Sequence, residues 1–316
     1  MAIRERIAYI FPGQGAQYVG MGRDLYDNFP KAREVFEEAN EVAGFDIKRL
    51  CFEGPIDKLS TTAHSQPAIL VTSIAALRSL ESAVSDINNE AVLGLSLGEY
   101  TALVAAGSIA FKDAVTLVKL RGRYMEEASR ENPGKMASVL GLDRDVAEEI
   151  CRDAGCEIAN LNCPGQIVIS GTVDSINKAT TVAKEKGAKR SIVLEVSGPF
   201  HSSLMNGAKD RLKAALDGVD IRPPRVSFIG NVNASYEKAA AKIKENLLTQ
   251  LTSRTNWEDS IKLIAAGGIK RCLEIGPGKV LKGLIKRIDA GITVHGICTV
   301  EDIDNFVKNC GSEAGG

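Results

Sequence analysis

The sequence predicts an α/β fold, a mostly parallel sheet covered by helices and interrupted by a small ferredoxin-like βαββαβ unit. Three observations carry this. Over residues 1–130 short apolar runs alternate with longer stretches of helical periodicity, the pattern of strands buried between layers of helix. A break at "SRENPGKM", residues 129–136, then changes the character of the chain. From Met136 the patterns read strand, helix, strand, strand, helix, strand, which is the split βαβ arrangement.

In chain order, "RIAYIF" ending at Phe11 is a short buried strand stopped by Pro12 and a glycine-rich turn. Helical patterns follow near 31–43 and 66–82, the second starting near Pro67. The run "EAVLG" (90–94) is the next strand, and helices follow from Leu97 and over Lys112 to Arg130. The small unit comprises strand "MASVLGL", helix "DRDVAEEICRDAG", strand "CEIANLN", turn "CPGQ", strand "IVISG", helix "VDSINKATTVAKEKG" and strand "KRSIVLEV". The chain leaves it at "SGPFH" and resumes larger elements, including "KRCLEIGPGKVLKGLIKR". A discontinuous large domain, 1–130 and 199–316, therefore carries an inserted subdomain, 131–198, and the cleft between them is the expected ligand site.

Composition narrows the function. Lys+Arg number 39 against 40 Asp+Glu, a formal net charge of -1, so no global field favours nucleic acid or an anionic membrane. The longest nearly apolar stretch, Ala102–Phe111, falls short of the ~20 residues that span a bilayer. "MAIRERIAYIF" turns apolar too briefly before Pro12 for a secretory signal. The expectation is a soluble cytoplasmic monomer. Seven cysteines with no Cys-x-x-Cys pair point to reduced thiols rather than a disulfide framework or a metal site.

The stretch "AVLGLSLGEYTALVAAG" sets Ser96 between Gly94 and Gly98, with a strand pattern before it and a helix pattern after. A Gly-x-Ser-x-Gly match on such a strand-to-helix turn exposes a serine hydroxyl beside the free N–H groups of a helix start. A plain structural turn reads the same way. If Ser96 is a nucleophile, the N–H of Leu97 is one oxyanion donor, and the loop "FPGQGAQ" is the best source of a second. That loop fails the dinucleotide pattern Gly-x-Gly-x-x-Gly because Tyr18 holds the last position, and "GPGKV" lacks the spacing of a phosphate-binding loop.

A serine nucleophile needs a base, and the chain has three histidines. His64 lies in a turn where capping explains it, and His295 lies in the strand-like "GITVHGICTV". His201 follows the junction "SGPF" and precedes a helix, whose dipole disfavours imidazolium. The junction favours His201; a hydrolase triad with a late histidine would favour His295. On the helix "FKDAVTLVKLRGRYMEEASR", Ala114, Leu117, Val118, Tyr124, Met125 and Ala128 share one arc and Arg121 falls near its centre. Arg123 falls opposite, within reach of Glu126 and Glu127. A guanidinium on the buried face must meet an anion, either an internal carboxylate or the carboxylate of a substrate.

In order and spacing, "FPGQGAQ", "GLSLGEYTALVAAG", "LRGRYM", "NLNCPGQIVISG", "FHSSLM" and "EIGPGKVLKGLIKR" resemble the malonyl-CoA:acyl carrier protein transacylases of fatty acid synthesis, across essentially the whole chain. The resemblance implies an α/β-hydrolase-like large domain with a ferredoxin-like insert. It implies ping-pong transfer of malonyl from coenzyme A, a substrate rather than a cofactor, to the phosphopantetheine thiol of acyl carrier protein. By matching position it makes Ser96 the nucleophile, His201 the base, Arg121 the clamp on the malonyl carboxylate, and Gln14 and Leu97 the backbone oxyanion donors. Gln250, in "LLTQLTSRTNW", matches the residue whose main-chain carbonyl orients the histidine, so no acidic triad member is expected. Asn162 and Gln66 match residues lining the pocket.

Many relatives carry histidine where this chain has Leu95, which touches the tuning of the turn rather than the reaction class, and Phe200 resembles malonyl-selective relatives. Carrier proteins of this type are acidic, and Lys279, Lys282 and Lys286 would share a helix face as docking candidates, or form a solvated face. The rival functions are a serine hydrolase or thioesterase, a freestanding polyketide acyltransferase, and a binding scaffold with an inert serine turn.

Overall fold

In chain order the strands are β1 (Ala2–Phe11), β2 (Asp86–Gly94), β3 (Gly134–Leu140), β4 (Glu157–Cys163), β5 (Gln166–Thr172), β6 (Arg190–Val193), β7 (Ser227–Ile229), β8 (Tyr236–Glu237), β9 (Arg271–Ile275) and β10 (Thr293–Ile297). The computed structural model describes residues 2–84 and 86–313. The large sheet runs β10-β9-β1-β2-β7-β8 and is parallel except for β8. β1 and β2 lie in its interior, so their apolar runs are buried on both faces, as the unbroken "IAYIF" and "AVL" require. Their carboxyl ends, Phe11 and Gly94, pair with each other and open onto adjacent loops. Such an edge is where open α/β sheets bind ligands.

Two helices position the site against that edge. Thr62–Ala83 is apolar on nearly every side and runs through the core. Phe111–Glu131 packs across its start at Gly122, where an added Cβ would stand 2.4 Å from the Thr62 carbonyl oxygen. That close approach brings Arg121 alongside Gln66 of the neighbouring helix. The expected arc is buried at Ala114, Leu117, Val118, Arg121, Met125 and Ala128, while Tyr124 lies at its margin with the Arg123 guanidinium 5.0 Å from its ring. Arg123 faces outward and pairs with Glu127 at 3.5 Å.

The second sheet runs β4-β5-β3-β6, antiparallel throughout, and two helices, Arg144–Ala154 and Val173–Glu185, cover one face. Asp143 and Thr172 cap them, accepting the N–H groups of Val146 and Ser175. Ile150, Ile158, Ile169 and Ile176 fill the space between. The ferredoxin-like order of elements is thus present, beside a larger α/β-hydrolase-like sheet. The small sheet is also tied to the loop after the helix Ala240–Gln250: the Leu161 N–H donates to the Thr255 carbonyl and the Thr255 N–H to the Ala159 carbonyl, both at 2.9 Å.

Several boundaries differ from expectation. The helix expected near Pro67 begins at Thr62, and His64 stands in its first turn, its Nδ1 2.7 Å from the Thr61 hydroxyl. The last strand of the small unit stops at Val193; Leu194 still donates its N–H to the Met136 carbonyl at 2.9 Å, and Leu194 to Val196 line the cleft. β7 and β8 have only 3 and 2 residues, too short to show a period. "GPGKV" is the entry to the helix Val280–Ile288, whose first N–H groups, from Leu281 and Lys282, are taken by the buried Glu274 carboxylate at 2.9 Å. Cys51, Cys151, Cys156, Cys163, Cys272 and Cys298 are free and buried, and the side chain of Cys310 lies outside the described residues. No helix of the described residues is long and apolar enough to cross a membrane.

Candidate active site

The Gly-x-Ser-x-Gly motif lies where β2 ends and the helix Gly98–Ala105 begins. Ser96 adopts φ 52°, a left-handed conformation that L residues rarely hold. The motif glycines make the turn sterically possible: a Cβ on Gly98 would fall 2.1 Å from the Phe11 carbonyl oxygen, and one on Gly94 would fall 2.0 Å from the Gly98 carbonyl carbon. Leu97 occupies the N-cap position, where backbone N–H groups lack helical acceptors.

Of the three histidines, His201 is the one brought to Ser96. Its Nε2 lies 2.9 Å from the Ser96 Oγ, and its Nδ1 lies 2.8 Å from the Gln250 main-chain oxygen. Because a carbonyl can only accept, Nδ1 carries the proton and Nε2 presents its lone pair to the serine hydroxyl. Gln250 ends the helix Ala240–Gln250, so its carbonyl has no helical donor, and it adds the negative end of the helix dipole. His201 also has a positive φ, 57°, so both partners of this pair are held in sparsely populated backbone. His295 instead sits on β10 against Phe306, rings 5.7 Å apart.

The imidazole is held neutral for a different reason than its position before a helix. The α-helix starts only at Asn206, after a 3₁₀ turn at Ser203–Met205. Burial, with the Arg121 charge adding to it, lowers the His201 pKa from 6.5 to about 4.

Arg121 is 1% exposed. Its Nη1 donates to Gln66 Oε1 at 2.7 Å, and its Nη2 donates to Gln250 Oε1 at 2.8 Å and to Ser96 Oγ at 3.2 Å, while Nε has no partner. No carboxylate among the described residues lies within ion-pair distance of it. Glu99 is the buried acid whose charge reaches Arg121. Burial pushes that carboxyl up to about 8, and its two oxygens accept from the Asn231 N–H and from Gln250 Nε2 rather than from the guanidinium.

These groups meet in a cleft of about 530 Å³ between the two sheets, lined on one side by Gln14, Ser96, Leu97, Arg121 and His201 and on the other by Met136, Asn162 and Val168. Residues 8–290 match the acyl transferase domain family. The chain belongs to that family. It is 44% identical over 313 residues to the malonyl CoA-acyl carrier protein transacylase of Bacillus subtilis (strain 168), with 98% of each chain covered. Among solved structures, the acyl-carrier-protein S-malonyltransferase of Burkholderia pseudomallei 1710b is 41% identical with a TM-score of 0.92, over 96% of this chain and 99% of that one. A malonyl-transacylase solved in complex with its type II PKS acyl-carrier protein is 36% identical with a TM-score of 0.93, over 96% and 100%.

In this acyl transferase Asn162 lines the cleft as expected, and its Oδ1 is buried without a partner. Gln66 does not line it. It stands behind Arg121, where its amide oxygen holds Nη1 and its Nε2 lies 3.3 Å from the Met125 sulfur, so it can act only through the guanidinium. Gln14 belongs to the β1 loop at the cleft wall, and its side chain donates to the Thr62 hydroxyl at 3.2 Å. Lys282 and Lys286 are exposed one turn apart on Val280–Ile288, and Lys279 is exposed at its N-cap, beside Val280 and Leu284 at the cleft mouth. Sequence reasoning missed Glu99, Asn231 and the side chain of Gln250. Glu99 carried a weak signal, an acid in the otherwise apolar "LGEYTALVAAG".

Proposed function

We propose that this acyl transferase moves a malonyl group from malonyl-CoA to the phosphopantetheine thiol of acyl carrier protein in fatty acid synthesis, through a malonyl ester on Ser96. One observation carries the reading: a buried guanidinium whose hydrogen-bond acceptors are all neutral stands 3.2 Å from the Ser96 hydroxyl. An acyl group on that oxygen places its far carboxylate within reach of Arg121, whose orphaned N–H then gains a charged acceptor. The names of the relatives and their near-complete coverage support the same substrates.

His201 Nε2 takes the Ser96 proton as the hydroxyl attacks the thioester carbonyl. The tetrahedral oxyanion is held by the backbone N–H groups of Leu97 and Gln14, and collapse expels the CoA thiolate, which recovers the proton from the imidazolium. The carrier thiol then enters, gives its proton to Nε2 and attacks the ester, and Ser96 leaves with that proton. The Gln250 carbonyl stabilises the imidazolium in both halves and stands where a triad would use an acid. We assign residues 131–198 as an inserted subdomain on a large domain of 1–130 and 199–316. The buried free thiols suit a reducing cytoplasm.

Incubation with malonyl-CoA followed by intact-mass measurement tests the reading. One malonyl unit per chain, discharged on adding acyl carrier protein in its thiol form, is expected. Discharge to water at the same rate without carrier would establish a hydrolase instead.

Neutrality of His201 gives a pH signature. The rate of acylation is expected to stay level from neutral pH down through 6.5 and to fall as pH nears about 4. An acid limb centred at 6.5 in single-turnover rates contradicts a desolvated base. The same shift acts on stability: the unfolded chain binds this proton more readily than the folded one, so stability declines as pH drops from 6.5 towards about 4.

For the carrier, the exposed Lys279, Lys282 and Lys286 beside the cleft mouth are the proposed docking charges. Reversing Lys282 and Lys286 to Glu is expected to raise KM for the carrier several-fold, roughly 3- to 10-fold at low salt, with KM for malonyl-CoA unchanged. Equal carrier KM in steady-state assays removes this surface from the proposal.

A further inference from the structure

Asn231 lies in the turn between β7 and β8, far from Ser96 in sequence, and is 1% exposed. Its Oδ1 accepts the Ser96 N–H at 2.7 Å, and its Nδ2 donates to the Gly94 carbonyl at 2.7 Å. One planar amide therefore spans the turn, holding the residue before it and the nucleophile itself. Asn231 is in turn fixed through its backbone. Its N–H donates to Glu99 Oε1 at 3.1 Å, and its carbonyl accepts the Asn256 N–H at 2.8 Å. Glu99 Oε2 accepts from Gln250 Nε2, which also donates to the Ser96 carbonyl at 3.0 Å.

These bonds meet at the residue whose backbone is least comfortable, Ser96 at φ 52°. They also divide the labour of the turn: the Ser96 N–H is spent on Asn231, which leaves the following N–H, that of Leu97, to face an oxyanion. We propose that Asn231 is a positioning residue for the nucleophile, its side-chain amide clamping residues 94–96 in the left-handed turn that aims the Ser96 hydroxyl at His201, with Glu99 holding Asn231 in register. The proposal rests on Ser96 being the acylated residue.

The test compares full-length wild type, Asn231→Ala and Asn231→Asp by single-turnover acylation with malonyl-CoA, read by intact mass, with thermal unfolding as the check on folding. The wild-type adduct separates the two ideas: its absence defeats the assigned function, whereas its presence leaves the clamp to be judged by the variants. Asn231→Ala is expected to acylate about 100-fold more slowly at saturating malonyl-CoA, with half-saturation changed less than about 3-fold, because misaimed geometry slows the chemical step. A folded Asn231→Ala protein within about 3-fold of the wild-type rate overturns the proposal.

Asn231→Asp keeps the size and shape and supplies a readout that a merely structural role does not move. When protonated, the introduced carboxyl reproduces both bonds, its C=O accepting the Ser96 N–H and its O–H donating to the Gly94 carbonyl. When ionised it repels that carbonyl. The charged and titratable groups around it are Glu99 from Gly98–Ala105, His201 at the cleft, and Glu237 from β8 and Arg121 from Phe111–Glu131, which both act on Glu99. Its acylation rate is expected to climb at least ~10-fold as pH falls across the titration of the new carboxyl, over a range where the wild-type rate is level. A profile parallel to wild type overturns the clamp even if Asn231→Ala fails to fold.

Discussion

Ser96→Ala is expected to take up no malonyl group and to lose transfer by on the order of 10⁶-fold, the scale seen when a covalent nucleophile is deleted. The geometry explains why no neighbour substitutes. His201 Nε2 points its lone pair at the Ser96 oxygen alone, because its other nitrogen is committed to the Gln250 carbonyl. The Arg121 guanidinium likewise donates to that oxygen. The substitution removes one hydroxyl and leaves the turn intact, since the Ser96 backbone N–H still bonds Asn231. Binding of malonyl-CoA should therefore survive while chemistry stops. Intact-mass measurement with equilibrium binding checks both halves; a malonyl adduct on the Ser96→Ala protein would sink the assignment.

Arg121→Ala is expected to lower malonyl transfer roughly 10²- to 10³-fold and to turn preference towards uncharged acyl groups, because breaking a buried charge pair costs about 3–5 kcal/mol. In the free enzyme the guanidinium already leans on Gln66, Gln250 and Ser96, all neutral acceptors. A bound carboxylate exchanges part of that for a charge-assisted pair, whereas an acetyl group would leave the buried cation without one. Competition between malonyl and acetyl thioesters measures the ratio directly. Arg121→Lys is expected to recover little of it, since a single ammonium cannot reach both amide oxygens and a carboxylate in one plane.

How much of this site the sequence displays depends on how each residue acts. Ser96 is legible because its glycines and the flanking strand and helix patterns state a geometry. Arg121 is legible because helical periodicity puts a charge where only apolar side chains belong, and it is buried there. Gln250 acts through its main-chain oxygen, which every residue possesses, so no side-chain pattern announces it and only family resemblance reached it. Asn231 is an ordinary-looking polar residue in a glycine-containing turn; its contact with Ser96 spans 135 residues and follows from tertiary packing alone. The fold divides the same way. Elements with a full period, such as Phe111–Glu131, are readable within a residue or two, whereas β7 forms on the edge β2 offers and β8 on β7, not because their own residues insist. The reason given by sequence for a neutral His201, a helix dipole, yields to a stronger one, removal from water beside a cation.

The paired backbone bonds between Thr255 and β4 tie one wall of the cleft to the segment that follows the acceptor of the His201 ring. Thr255 lies five residues beyond Gln250, and Asn160 and Asn162 of β4 face the cleft from the same strand. The cleft wall that carries Asn160 and Asn162 and the carbonyl that orients His201 thus belong to one continuous main-chain frame.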